Sequence, residues 1–167
     1  MLAQRPQSGY DLRKLFADTP MRHFSDSPGT IYPALGRLKG RKWVTAARDK
    51  SSSRKREIFH ITEPGKRALL EWLQAPFDRS EVVSGLGALL LRFAFFDGNL
   101  SRRHACTFLR RLERELSGYV GDLEKYAAET GFLKSVSTGS LAFTNGLDGY
   151  RAHLSWTRRA LELLDAR

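Results

Sequence analysis

The chain has 167 residues, enough for one large domain or two small ones that share a core. With 41% hydrophobic and 28% charged residues it fits neither a disordered tail nor a membrane protein, and its longest apolar run, 86–96, is interrupted by Gly87 and Arg92 and is too short to cross a bilayer. The net charge of +10 lies mostly in front: residues 1–75 hold 15 Lys+Arg against 7 Asp+Glu, which is +8, and residues 76–167 hold 13 against 11, which is +2. The front is therefore the part that faces a polyanion.

From the start of the chain, Ser8 is placed to cap a short helix to about Phe16, with Leu12, Leu15 and Phe16 on its buried side. Thr19-Pro20 ends it. Ser27 followed by Pro28 reads as an N-cap and a proline at the first helical position. The helix from Pro28 to about Lys42 turns Ile31, Ala34, Leu35 and Leu38 to a core. At about 100° per residue, Gly29, Pro33, Gly36 and Gly40 line the opposite side, flanked by Thr30, Arg37 and Arg41 and by Tyr32 and Lys39. Glycine inside a helix costs roughly 1 kcal/mol against alanine and proline costs more, so this outer face does not serve helix stability. Close approach of the helix backbone to a groove would explain it.

Residues 43–48 (WVTAAR) read as a strand, 50–55 (KSSSRK) as a flexible basic loop and 57–61 (EIFHI) as the returning strand. Lys50, Arg54, Lys55 and Arg56 give this hairpin its charge. Each phosphate such residues neutralise releases counterions, which adds affinity and salt dependence but little sequence preference. Thr62 caps the next helix, with Pro64 in its first turn and Leu69, Leu70, Trp72 and Leu73 on its apolar side. Helix, strand, charged turn and strand in this order describe a winged helix-turn-helix, with Ser27, Thr30, Tyr32, Arg37 and Lys39 at the groove and Lys50, Arg54, Lys55 and Arg56 at the phosphates.

Beyond Ala75-Pro76 everything reads helical, which divides the chain into a DNA-binding domain, 1–75, and a helical dimerisation domain, 76–167. Residues 81–96 form one helix. A second starts at Ser101, where Ala105, Leu109, Leu112, Leu116, Tyr119, Leu123 and Tyr126 recur as a heptad seam. A third, after the break at 131–140, carries Leu147, Tyr150, Leu154, Thr157, Leu161 and Leu164 at the same spacing. By pattern alone the two seams fit an antiparallel pair within one chain as well as a dimer. A dimer is expected because a lone helix-turn-helix reads too few base pairs to find a site in a genome; Leu109, Leu112, Leu116, Tyr119, Leu123, Leu154 and Leu161 are its candidate contacts.

Enzymatic chemistry has little to stand on. Cys106 and the histidines His23, His60, His104 and His153 form no nucleophile–base motif, and no His/Cys/carboxylate cluster has metal-ligand spacing, so neither a cofactor nor a metal is expected. The single cysteine and the lack of a signal-peptide pattern at the start suit the cytoplasm. Trp72, Phe93, Phe96, Tyr119 and Trp156 could line a ligand cavity, although aromatics at helix spacing are more often plain core.

Residues 27–38 (SPGTIYPALGRL), with Gly9-Tyr10-Asp11-Leu12 before them and 56–69 (REIFHITEPGKRAL) after, resemble the signature of the PadR family of bacterial transcriptional regulators. More weakly, 146–156 (GLDGYRAHLSW) is similar to the last helix of members with the long virulence-activator-type C-terminal domain. The resemblance implies a mainly α fold with a small β-hairpin wing and a homodimer that reads an inverted repeat in double-stranded DNA, usually as a repressor. Some members are released from DNA by phenolic acids, drugs or other small aromatic compounds, and others have no known effector. Gly36, Gly40 and Lys42 stand where members commonly carry a basic residue, an acidic residue and a glycine. Only Met1-Leu2-Ala3 stands for the apolar helix that usually precedes the Gly-Tyr-Asp-Leu element, so residues 1–7 are expected to be poorly ordered or to form a stub, beside an exposed apolar patch.

Overall fold

The structure, a computed structural model, describes residues 1–18, 28–48 and 56–166. Their elements are β1 (Gln7–Ser8), α1 (Gly9–Ala17), α2 (Pro28–Gly40), β2 (Val44–Arg48), β3 (Glu57–Ile61), α3 (Glu63–Gln74), α4 (Arg79–Ala94), α5 (Arg102–Thr130) and α6 (Thr138–Asp165). They divide into two compact units, Met1–Gln74 and Ala75–Arg167. The fold is mainly helical with one small antiparallel sheet.

In the first unit the strand order is β1-β3-β2. β2 and β3, the strand and returning strand expected from the sequence, pair antiparallel from Val44 opposite Ile61 to Arg48 opposite Glu57. β1 was not legible. Gln7 lies opposite Phe59 and Ser8 opposite Ile58, so the start of the chain covers the second edge of β3, whose backbone groups would otherwise lack partners. Residues 1–7 are thus no stub: Gln7 and Ser8 are buried, the Gln4 N–H donates to the Met1 carbonyl at 3.0 Å, and Met1 and Leu2 pack against the core. That core is Leu12 of α1, Ile31 and Leu35 of α2, Val44 of β2 and Phe59 of β3, with Phe16 and Leu38 at its margin.

Local chemistry sets the helix ends. The Ser8 hydroxyl accepts the Asp11 N–H at 3.2 Å while the Asp11 carboxylate accepts the Ser8 N–H at 3.1 Å, a capping box that starts α1. The predicted cap of α2, Ser27, lies outside the described residues. α2 ends at Gly40, two residues earlier than expected, because Lys42 turns left-handed at φ 58°. The Trp43 N–H then reaches the Leu38 carbonyl and the Lys42 N–H the Lys39 carbonyl, the Schellman arrangement in which the left-handed position normally holds glycine. Glycine is the residue that the resembled family commonly carries there.

Thr62 ties this corner to α3. Its hydroxyl donates to the Lys42 carbonyl at 2.7 Å and accepts the Gly65 N–H at 3.1 Å, and its own N–H donates to the Trp43 carbonyl. A Cβ on Gly65 would stand 2.0 Å from the Trp43 oxygen, so only glycine lets α3 approach.

The second unit is three helices. Asp78 and Glu81 form the capping box of α4, which bends at Gly85 (φ −139°, ψ 25°). α5 ends at left-handed Gly131, and Ser137 caps α6 through the Ser140 N–H. α5 packs on α4 and α6. Ion pairs Arg110–Asp165, Glu113–Arg158 and Glu124–Arg151 run down α5 as they run up α6, so the pair is antiparallel.

This packing revises the reading of the seams. Leu109, Leu112 and Leu116, expected between two copies, are 0% exposed within one chain, and Leu154 and Leu161 are buried as well. Their apolar surface is already spent inside the protomer, so they are not free to form an interface while the helices stay packed. Tyr119 and Leu123 are half-buried; past Leu116 the buried line of α5 passes to Val120 and Ala127, while Tyr126 is exposed. A straight helix at 3.6 residues per turn drifts off a heptad by about 20° each repeat, and here nothing supercoils it back. Tyr119 still meets Tyr150 edge-on at 4.8 Å, and the Tyr150 hydroxyl donates to the Val83 carbonyl at 3.1 Å. No described helix is long and apolar enough to cross a membrane.

Two substitutions test the corner. Gly65→Ala is expected to destabilise by about 2–3 kcal/mol, because backbone rather than a flexible side chain blocks the new methyl. Lys42→Gly should stabilise by about 0.5–1 kcal/mol through relief of the left-handed strain, raising the melting temperature by roughly 2–4 °C. Thermal unfolding followed by circular dichroism reads both.

Candidate nucleic-acid interface

With Ile31 and Leu35 held in the core, α2 must present Thr30, Tyr32, Pro33, Gly36, Arg37, Lys39 and Gly40 to the outside, and all of them are exposed. A Cβ at Gly36 or Gly40 would meet nothing within 4 Å, so packing within the chain does not require either glycine. Gly9 is different. A Cβ there would lie 2.6 Å from the Tyr32 ring, so the Tyr32 side chain rests against the start of α1 and is aimed by that contact. Arg37 makes no ion pair with another described residue. Lys39 reaches Glu57 of β3 at 3.7 Å, and both side chains are more than half exposed, so the pair is weak and open to exchange.

Of the predicted hairpin contacts, Lys50, Arg54 and Lys55 lie outside the described residues, as does Ser27. Arg56 stands at the start of β3 and has an internal partner: its guanidinium donates to the Asp11 carboxylate and lies over the Tyr10 ring, 5.8 Å from the centroid. Its Nε is buried with no acceptor among the described residues. The geometry makes Arg56 a brace between the strand and α1, with a further donor face left over, rather than a freely swinging phosphate contact.

Asp11 therefore serves three groups at once. Partial burial raises its pKa, but the Ser8 hydroxyl and N–H and then the Arg56 charge outweigh that and hold the carboxyl below its ordinary value. Sequence reading had assigned no role to Tyr10 or Asp11. Tyr10 is exposed, with Arg13 5.6 Å and Arg56 5.8 Å from its ring, and Arg41 lies 4.9 Å over Trp43. The visible signal was the Ser-x-x-Asp spacing of residues 8–11, a capping-box pattern.

Elsewhere the described residues hold no group of His, Cys, Asp and Glu able to bind a metal. Cys106 is buried, its Sγ 3.7 Å from an Asp165 carboxylate oxygen. Phe93 packs against Phe96, Phe108 and Trp156 at centroid distances of 5.5, 5.6 and 6.2 Å, so these rings fill space with one another.

Residues 1–71 match the model of a family described as Transcriptional regulator PadR-like family. No curated protein matches. Among solved structures, the chain is similar to Bacillus subtilis PadR in complex with operator DNA (22% identity, 97% of this chain and 92% of that one, TM-score 0.44). It is also similar to the same protein in complex with p-coumaric acid (23% identity, 98% and 94%, TM-score 0.42). A PadR-like transcriptional regulator from Bacillus cereus matches at 22% identity over 98% and 90% of the two chains, with a TM-score of 0.40.

Asp11→Ala leaves the Ser8 hydroxyl free to cap the N–H of residue 11 but removes the reciprocal half of the capping box and frees Arg56. The expected loss is about 0.5–1 kcal/mol, most of it from the Ser8 donors left without the carboxylate, since a half-exposed ion pair adds little. Because the folded-state pKa of Asp11 is depressed, its contribution is fully present above its unfolded value near 4 and fades as pH falls through the folded one. The melting-temperature gap between wild type and variant should therefore be constant from neutral pH to about 5 and close below about 4.

Proposed function

Because residues 1–71 match the model of the PadR-like family of transcriptional regulators, a family of regulators rather than enzymes, we propose that this chain is a cytoplasmic DNA-binding repressor. In this reading α2 enters the major groove of double-stranded DNA, with Thr30, Tyr32, Arg37 and Lys39 reaching base edges or the adjoining phosphates. The hairpin between β2 and β3 lies along the backbone through Lys50, Arg54 and Lys55, with Arg56 holding its base. What supports it above all is the outer face of α2: an exposed Arg37 with no ion pair among the described residues stands between two glycines whose Cβ positions meet nothing within 4 Å.

The proposal includes a homodimer on an inverted repeat, joined through surface that the protomer leaves uncovered rather than through the closed seams of α5 and α6. Two readings of regulation remain distinct. A small aromatic effector would have to open a space among the rings of the second unit, whereas the ring-to-ring packing of Phe93, Phe96, Phe108 and Trp156 favours a module that works without one.

Arg37→Ala should leave the melting temperature unchanged, since no ion pair among the described residues is lost, yet weaken binding to a selected duplex by about 1–3 kcal/mol. Equal affinity in fluorescence anisotropy would remove α2 as the reading helix. Replacing Lys50, Arg54 and Lys55 together with alanine should weaken binding to every sequence and flatten the slope of log K against log salt by up to about three units.

A further inference from the structure

The second unit buries an arginine that forms no ion pair with another described residue. Arg92 of α4 is only 5% exposed, and its Nε and Nη2 have no hydrogen-bond partner among the described residues. Its guanidinium lies over two rings, 5.3 Å from the Phe77 centroid and 5.2 Å from that of Phe108. Arg111 of α5 lies 5.3 Å from the same Phe77 ring, and its Nε is buried and unpartnered too.

Stacking on aromatic faces offsets only part of what burying a guanidinium without an acceptor costs. Arginine cannot escape by losing its proton at any ordinary pH. The balance is unfavourable twice over, because Arg92 and Arg111 also repel each other. Burial is the main influence lowering the Arg92 pKa, and Arg111 adds to it; the one acidic group acting the other way is Glu81, whose carboxylate is engaged by the Asp78 N–H at the start of α4. Two cations against one carboxylate leave a single positive charge, with donors already stripped of water.

We propose that the Arg92 donors are a binding site for a small monoanion of the carboxylate class, with Arg111 supplying additional positive potential. A carboxylate matches the planar fork of a guanidinium and carries the one negative charge the site lacks. A phosphate dianion would overshoot that charge beside Glu81. The proposal is independent of DNA binding by the first unit and is tested without DNA.

The test is thermal unfolding of the full chain at constant ionic strength, in chloride, acetate, inorganic phosphate or neutral acetamide. Acetate is expected to raise the melting temperature by several degrees in a saturable way, and acetamide to leave it unchanged. Arg92→Met, which keeps the stem over the rings and removes the charge, should abolish the acetate response without lowering the melting temperature in chloride. Arg103→Met, on the exposed start of α5, should keep the response. An acetate response that survives Arg92→Met overturns the site, as does a wild-type melting temperature indifferent to the anion. A larger shift with phosphate than with acetate overturns the carboxylate assignment. If Arg92→Met does not fold, Arg92→Lys, which keeps the charge but not the fork, decides: an undiminished acetate response contradicts the proposal and a weakened one supports it.

Discussion

The first unit depends on the burial of Ile31 and Leu35 of α2 against Leu12, Val44 and Phe59. These five side chains come from four elements, and once they meet, the rotation of α2 about its own axis is settled. The opposite face then has to be Thr30, Pro33, Gly36, Arg37 and Gly40. At roughly 25 cal/mol per Å² of apolar surface, burying such side chains outweighs the local cost of glycine and proline in a 13-residue helix. The outer face is thus free to be chosen for something other than helix stability.

Two braces hold that helix in place. At its C-terminal end, left-handed Lys42, Thr62 and Gly65 lock the turn into β2 against the start of α3. At the start of the chain, Asp11 links the cap of α1 to Arg56 at the start of β3, so Arg56 is anchored to the scaffold. A residue that reads as one more phosphate contact in the sequence is, in three dimensions, tied to α1 by an ion pair.

Much of this was legible in the sequence. The helices, β2 and β3, and the caps at Ser8 and Thr62 follow from periodicity and cap chemistry, which act over a few residues. β1 was not legible, because two residues carry no periodicity and its strand character comes wholly from the open edge of β3. The ending of α2 at Gly40 depended on a left-handed lysine, which propensity argues against. The α6 seam, and the α5 seam as far as Leu116, hold as apolar stripes, but a stripe does not say what covers it. Coverage by α4 and by each other is a tertiary fact, and it removes Leu109, Leu112 and Leu116 from the surface. Buried Arg92 was invisible for a similar reason: in the sequence it only interrupts an apolar run, and nothing local says that Phe77 and Phe108 will close over it.

The central claim, that the exposed face of α2 is the surface that meets DNA, is tested most directly by nuclear magnetic resonance. The ¹⁵N-labelled full chain would be titrated with a duplex that the chain itself has selected from a random-sequence pool. The account predicts that the largest amide shifts fall on residues 29–40 and on the flanks of the hairpin, while α6 stays unperturbed. Shifts concentrated in α5 or α6, with α2 silent, would contradict it.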